Sequence, residues 1–146
     1  MRKLHLKTRA SYMRIPAMVI DSFEIRCLAV TELYCPVRDV PAFAEGVMRS
    51  IEVDGLANPV IVVRGPREDL VSQMESVGGS GAHLPDSPVV NCVYGGTNRV
   101  TAARELGYTH IDCILLPTFE LGMRLQTLQR GSYNGSKAES VGDRTA

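Results

Sequence analysis

The sequence lacks a net charge, a long apolar run and a secretory leader. The 16 basic and 16 acidic residues balance, so no chain-wide basic field is available to hold nucleic acid non-specifically. Apolar runs are only a few residues long, far short of the roughly 20 residues that a membrane helix needs. The N-terminus is interrupted by charged and polar residues and has no apolar leader core. These absences predict a cytoplasmic protein that makes no membrane contact.

The sequence also lacks the cysteine spacing of a metal or disulfide scaffold. Its four cysteines, at positions 27, 35, 92 and 113, form no CxxC pair, and its 3 histidines are scattered. We therefore predict no metal site and expect reduced thiols that partly fill a core. Because 45% of the residues are hydrophobic, the chain has enough apolar material to form that core.

Composition divides the chain into three parts. Residues 1–22 are predicted to form a basic N-terminal arm, which either touches the phosphates of DNA, directly or beside a DNA-binding protein, or is a solvated tail. Residues 23–130 are predicted to form the folded domain. Residues 131–146 are rich in glycine, serine and charge, and are predicted to be disordered.

Hydrophobic periodicity predicts strands and helices in a mixed order. The expected strands cover about residues 24–30, 60–63, 89–94 and 111–116. The expected helices cover about 40–54, 70–77 and 97–106, and a final helix capped by Thr118. This mixture in one short chain predicts an α/β or α+β class.

Residues 64–88 are too long for a simple connection between two strands. Their second half, residues 78–88, begins with glycine and serine and contains Pro85 and Pro88. This composition predicts few contacts, so we expect residues 78–88 to be the most mobile internal segment. The segment is either a lid over a ligand or partner, or a tolerated surface insertion.

A predicted strand ends in Gly95 and Gly96 and runs directly into a helix. Glycine permits a positive φ and close ligand approach, and the free N–H groups of a helix start attract anions. Thr97 or Asn98 is expected to cap the helix or donate to phosphate, and Arg99 to add a bidentate donor. As an exposed residue, Arg99 is expected to contribute little to the fold. The pattern predicts a phosphate or nucleotide site, with a purely structural turn as the alternative.

Residues 96–107 (GTNRVTAARELG) resemble the signature helix of the ParB/sulfiredoxin superfamily, the ParB-like N-terminal or nuclease domain. Residues 50–62 resemble the family's helix, Gly-Leu-x-x-Pro turn and following strand, and residues 108–115 its closing strand. The resemblance implies an α+β fold with a small mixed sheet and about three to four helices. It also implies that the glycine turn holds a nucleoside triphosphate, CTP or ATP, with Mg²⁺. Known members are CTP-binding partition proteins, sulfinic acid reductases, a free-serine kinase and ParB-like nucleases.

The resemblance also suggests roles for single positions. Thr97 stands where sulfiredoxins have their reactive cysteine, so sulfiredoxin activity is not expected, because a hydroxyl does not replace a thiolate. Arg38 matches a loop arginine of ParB and joins the predicted phosphate site; a solvated loop residue is the alternative. Glu32 lies where the free-serine kinases place a catalytic acid and is our candidate catalytic residue; an exposed loop glutamate is the alternative. Arg104 is expected to face solvent.

The predicted function is nucleotide binding in a DNA-, plasmid- or phage-related process. Because 30 residues follow Leu116 in this sequence, we do not expect the helix-turn-helix domain that ParB carries there. Two alternatives stay open. One is a small enzyme of the same fold, a nucleotide hydrolase, kinase or nuclease, with Glu32, Asp39 and Asp54 as candidate carboxylates. The other is a non-catalytic interaction protein.

Overall fold

The computed structural model describes residues 4–8, 24–36 and 41–129. In chain order its elements are β1 (His5–Leu6), β2 (Glu24–Ala29), a 3₁₀ turn (Val30–Glu32), α1 (Pro41–Asp54), β3 (Val60–Pro66), α2 (Arg67–Ser76), β4 (Val89–Gly95), α3 (Thr97–Glu105), β5 (His110–Leu116) and α4 (Phe119–Gln129). Within these residues the chain forms four helices and one mixed sheet of five strands. The predicted α+β class is therefore confirmed.

β5 organises the sheet. β2 runs antiparallel along one edge of β5, with Glu24 opposite Leu115 and Ala29 opposite His110. The other edge is shared end to end by two parallel strands: β1 pairs with the first two residues of β5, and β3 pairs with its last four. β4 then pairs antiparallel with β3. This order brings the end of β4, where the two glycines lie, beside the start of β3.

β1 corrects the predicted boundary of the folded domain. Residues 1–22 were expected to lie outside it, yet Leu6 is buried and both residues of β1 pair with β5. Asp112 anchors this strand: His5 donates through Nε2 to one carboxylate oxygen at 2.5 Å, and the backbone N–H of Thr8 donates to the other at 2.8 Å. Two residues give too short an alternation to reveal a strand in the sequence. The rest of the predicted arm and the predicted 131–146 tail lie outside the described residues.

The central strands are buried on both faces. Val60 and Val62 pack in a core with side chains of α1 and α3. Ile61 and Val63 point to the opposite face, where α4 and α2 cover them. All four side chains are 0% exposed, as expected for a continuous apolar run between two helical layers.

The helix ends follow the predicted signals. α1 is followed by Gly55 and α3 ends just before Gly107, both with positive φ. The side-chain oxygen of Thr118 accepts a hydrogen bond of 3.2 Å from the N–H of Leu121 and so caps α4. In the described part of the chain, no helix combines the length and apolar character that crossing a membrane requires.

Residues 78–88 are anchored to the domain at two buried residues, Gly81 and Leu84, although most of the segment is exposed. Leu84 is buried in a core cluster with α2 and β4. The ring of His83 stacks on Tyr34 with 5.9 Å between centroids, and its Nδ1 lies 2.8 Å from the tyrosine hydroxyl. Gly81 approaches α2 so closely that an added Cβ would lie 2.7 Å from a methyl of Val71. The expectation of few contacts here is therefore wrong, because one apolar side chain anchors a segment that is otherwise polar or small.

Candidate functional site: the glycine turn at the start of α3

A β-bulge leads the chain into the turn. The register of β4 against β3 skips Tyr94, and a bulge of this kind bends a strand and redirects the residues that follow. Gly96 then adopts φ +124° and ψ 22°, and α3 begins at Thr97. This backbone conformation is open to glycine and strained for other residues. The turn therefore needs glycine at position 96.

The start of α3 has the properties of an anion site. Gly96 is its N-cap and has no side chain with which to cap it, so the expected cap by Thr97 or Asn98 is wrong. The first N–H groups of a helix have no partner within the helix, and the helix dipole makes this end positive. Thr97 and Asn98 are half-buried, so a ligand can approach them. The Oδ1 atom of Asn98 is buried and accepts no hydrogen bond from the described residues.

Arg99 is buried, with 3% of its surface exposed, in contrast to the exposed residue expected from the sequence. Its Nη1 donates to the carbonyl oxygens of Asn58 at 2.7 Å and Pro59 at 3.1 Å. Its Nη2 donates to the carbonyl oxygen of Gly95 at 3.0 Å. The side chain thus joins the turn before β3 to the end of β4. The expectation that Arg99 contributes little to the fold is wrong, because its side chain packs beneath the turn.

The two glycines have different roles. At Gly95 an added Cβ would lie 3.1 Å from Nε2 of Gln126 and 3.4 Å from a methyl of Ile61, so glycine here lets α4 approach the sheet. At Gly96 the nearest atoms to an added Cβ belong to the Arg99 guanidinium. Gly96 therefore shapes the turn itself, whereas Gly95 makes room for the helix on the other side.

Glu32 belongs to the 3₁₀ turn that follows β2. Its Oε1 accepts a hydrogen bond of 3.2 Å from the N–H of Ala29 and so closes the 3₁₀ turn. The neighbouring carbonyl oxygen of Val30 accepts a hydrogen bond of 2.8 Å from Arg104, in the last turn of α3. The 3₁₀ turn is therefore held by the last turn of α3, whereas Gly96 is the N-cap of the same helix. Arg104 is exposed, as expected, but its guanidinium also donates to the carbonyl oxygen of Val30 in this turn.

Of the remaining candidate residues, the structure describes only Asp54. Asp54 is the exposed last residue of α1. Arg38 and Asp39 lie outside the described residues, so their assignment to the site stays a prediction. The structure therefore brings together Gly95, Gly96, Thr97, Asn98 and Arg99, and it shows Glu32 bonded to the N–H of Ala29.

Two of the thiols are core groups. Burial raises the pKa of the Cys92 thiol to about 12, with a smaller contribution from Cys35. Burial also raises the pKa of the Cys113 thiol to about 12; the nearby Asp112 carboxylate adds to the rise and the Arg99 guanidinium opposes it. Both thiols therefore stay protonated near neutral pH and are poor nucleophiles.

Comparisons with known proteins find structural likeness only. No family model and no curated protein matches the chain. The chain is similar to the crystal structure of sulfiredoxin from Arabidopsis thaliana, with 20% sequence identity, 69% of this chain and 94% of that chain covered, and a TM-score of 0.43. It is also similar to the C-terminally truncated chromosome-partitioning protein ParB from Caulobacter crescentus, complexed with CTP-gamma-S. That match has 19% identity, covers 80% of this chain and 60% of the ParB chain, and has a TM-score of 0.48.

Proposed function

We propose that the protein binds a nucleotide whose phosphates are held by the backbone N–H groups at the start of α3. The observation that carries this proposal is the helix start itself, where Gly96 replaces a capping side chain and leaves the first N–H groups to a ligand. Phosphates are common ligands of such helix starts because the N–H groups and the helix dipole act together.

The surroundings of the turn favour a phosphate ligand over a neutral one. The positive guanidinium of Arg99 lies directly beside Gly96. Thr97 adds a hydroxyl and Asn98 a side-chain amide at the first two positions of the helix, and both are partly accessible. The hydroxyl of Thr97 and the amide of Asn98 can form hydrogen bonds with a nucleotide. The buried Oδ1 of Asn98 only accepts, so its partner would be a hydroxyl or amino group of the ligand.

The ligand that we propose is a nucleoside triphosphate, CTP or ATP, which the family resemblance of the sequence suggests. Mg²⁺ would enter bound to the phosphates, as it commonly does with triphosphates. We propose binding with little or no turnover, because Thr97 occupies the position of the sulfiredoxin cysteine and Glu32 closes a turn at the other end of α3. A role in a DNA-related process, aided by the basic residues within 1–22, is part of the same proposal.

Calorimetric titration of the protein with CTP, ATP, GTP and UTP, each with and without Mg²⁺, tests the proposal. Inorganic triphosphate serves as the ligand without a base, and cytidine and adenosine as ligands without phosphate. We expect the triphosphates to bind and to raise the melting temperature, and the nucleosides to do neither. Gly96→Val should abolish this binding, because it strains the turn and displaces Arg99. If no phosphate-bearing ligand binds, the proposal is wrong.

An assay of phosphate release in the same samples separates binding from catalysis. The proposal predicts release no faster than in buffer alone. Release that needs Mg²⁺ and is lost in Gly96→Val would instead establish the enzyme alternative at this site.

A further inference from the structure

We infer that Arg99 is a positioning residue of the anion site: its guanidinium fixes the glycine turn from below and does not contact the phosphate. The inference rests on the proposed function, since it describes how the same helix start is held ready for a ligand. It differs from the expectation drawn from the sequence, in which Arg99 reaches out to the phosphate itself.

The hydrogen bonds of Arg99 point into the protein. Both Nη atoms donate to backbone carbonyl oxygens, on Asn58, Pro59 and Gly95. These distances of 2.7 to 3.1 Å are those of well-formed hydrogen bonds. Because only 3% of the residue is exposed, the guanidinium has almost no surface to offer a ligand.

Those three carbonyl groups belong to the two chain segments that meet at the site. Asn58 and Pro59 lie in the turn that enters β3, and Gly95 is the last residue of β4. One planar guanidinium therefore fixes the distance between the two segments. The residue after Gly95 is the N-cap of α3, so this distance also sets where the first N–H groups of the helix lie.

The glycine turn and the guanidinium depend on each other. An added Cβ at Gly96 would lie 2.9 Å from Nη2, 3.1 Å from Cζ and 3.1 Å from Nε of Arg99. The guanidinium plane thus packs directly against the backbone of the turn. Removing it leaves a gap beneath Gly96 and three carbonyl groups without this donor.

Lysine is the substitution that separates charge from position. It keeps the positive charge of Arg99 but has a single ammonium group in place of the planar fork. An ammonium on a flexible stem does not hold carbonyl groups of two segments in the fixed geometry that Arg99 gives them. If charge alone matters, lysine restores phosphate binding; if position matters, it does not.

The test compares Arg99→Lys and Arg99→Met with the control Arg104→Met. Arg104 lies on the same helix and also donates to backbone carbonyl oxygens, but at the opposite end. Affinity for inorganic triphosphate is measured by calorimetry at a temperature where circular dichroism shows each variant to be folded. We expect both Arg99 variants to lose about tenfold or more in affinity, and Arg104→Met to stay within about twofold of the wild type. Wild-type affinity in Arg99→Lys would overturn the inference.

A measurement on the wild type covers the case in which the Arg99 variants do not fold. In a ¹⁵N-labelled sample, the hydrogen-bonded Nη1–H proton of Arg99 should exchange slowly before any ligand is added. On addition of inorganic triphosphate the amide resonances of Thr97 and Asn98 should move, while the protection of the Arg99 proton stays the same. Rapid exchange in the free protein would show that the protein does not hold the guanidinium, and protection gained only on binding would indicate direct phosphate contact. Either result would overturn the inference.

The two proposals fail in different ways. If the wild type does not bind triphosphate at all, the proposed function and the proposed role of Arg99 are both wrong. If the wild type binds and Arg99→Lys binds equally well, only the positioning role of Arg99 is wrong.

Discussion

The guanidinium of Arg99 lies directly beneath the backbone of Gly96: a Cβ built at Gly96 would stand 2.9 Å from Nη2. Residue 96 must therefore be glycine for two independent reasons, its φ of +124° and the occupied space beneath it. The packing of the guanidinium against the backbone of Gly96 accounts both for the shape of the helix start and for the burial of Arg99. Changes at either residue should affect the other.

Gly96→Ala should destabilise the protein and remove nucleotide binding. Backbone strain and the clash with Arg99 together predict a loss of about 2–4 kcal/mol in the free energy of unfolding. Urea unfolding measures the loss of stability, and calorimetry with CTP and ATP measures binding.

Gly107→Ala is the matched control for that change. Gly107 also has a positive φ, +88°, and follows the other end of α3, but no atom lies within 4 Å of an added Cβ. It should cost about 1–2 kcal/mol from strain alone and leave nucleotide binding intact. Equal costs at the two glycines would contradict the clash with Arg99.

Arg99→Ala should unfold the protein at much lower urea concentration than the wild type needs. The substitution leaves three carbonyl groups without their guanidinium donor, which predicts a loss of about 3 kcal/mol or more. Arg124→Ala is the control, because Arg124 is 55% exposed and pairs only with Glu120 one turn away on α4 among the described residues. That change should stay within about 0.5 kcal/mol. Similar stabilities for the two variants would show that Arg99 does not hold the fold.

Leu84→Ala tests whether residues 78–88 are packed or loose. Leu84 is 4% exposed, so its truncation should cost about 2–4 kcal/mol. Val77 lies just before this segment and is 84% exposed, so Val77→Ala should change stability by less than about 0.5 kcal/mol. Thermal unfolding measures both. A negligible loss of stability in Leu84→Ala would show that residues 78–88 are loosely packed, as their composition suggests.

The buried thiols predict how stability changes at high pH. Cys92 and Cys113 have folded-state pKa values raised to about 12, above the ordinary value of 9.0. From about pH 9 upward the unfolded chain releases these protons and the folded chain keeps them, so the free energy of unfolding should fall as pH rises toward 12. The raised pKa of Tyr34, caused mainly by its burial, acts in the same direction.

Cys113→Ala isolates one of these contributions. Each thiol contributes up to about 1.4 kcal/mol per pH unit, so the variant should lose stability less steeply above pH 9 than the wild type does. Urea unfolding between pH 8 and 11 gives the two slopes. Identical slopes would show that Cys113 ionises in the folded protein as it does in the unfolded chain.

Much of the fold could be predicted because its signals are local. The apolar run at residues 60–63 is long enough to mark a strand buried on both faces. Thr118 and Gly107 mark helix ends by the chemistry of one residue. The glycine pair before α3 likewise identified the turn, because a positive φ at Gly96 leaves few alternatives to glycine.

The errors concern contacts between distant parts of the chain. β1 is held by a hydrogen bond between His5 and Asp112, 107 positions apart, which no local pattern reveals. Arg99 donates to backbone carbonyl groups about 40 residues away, and these carry no residue identity that a sequence can show. From the sequence alone, Arg99 could be either an exposed residue that binds phosphate or a buried residue that holds the fold. Only the position of the turn before β3 decides between these two roles.

The most direct test of the central claim is a ¹⁵N–¹H titration of the wild type with CTP and with ATP, with cytidine and adenosine as controls. The account predicts that the amide resonances of Thr97 and Asn98 move most with the triphosphates and stay in place with the nucleosides. In Gly96→Ala these shifts should disappear. Shifts centred on another part of the fold, or none at millimolar triphosphate, would contradict a phosphate site at the start of α3.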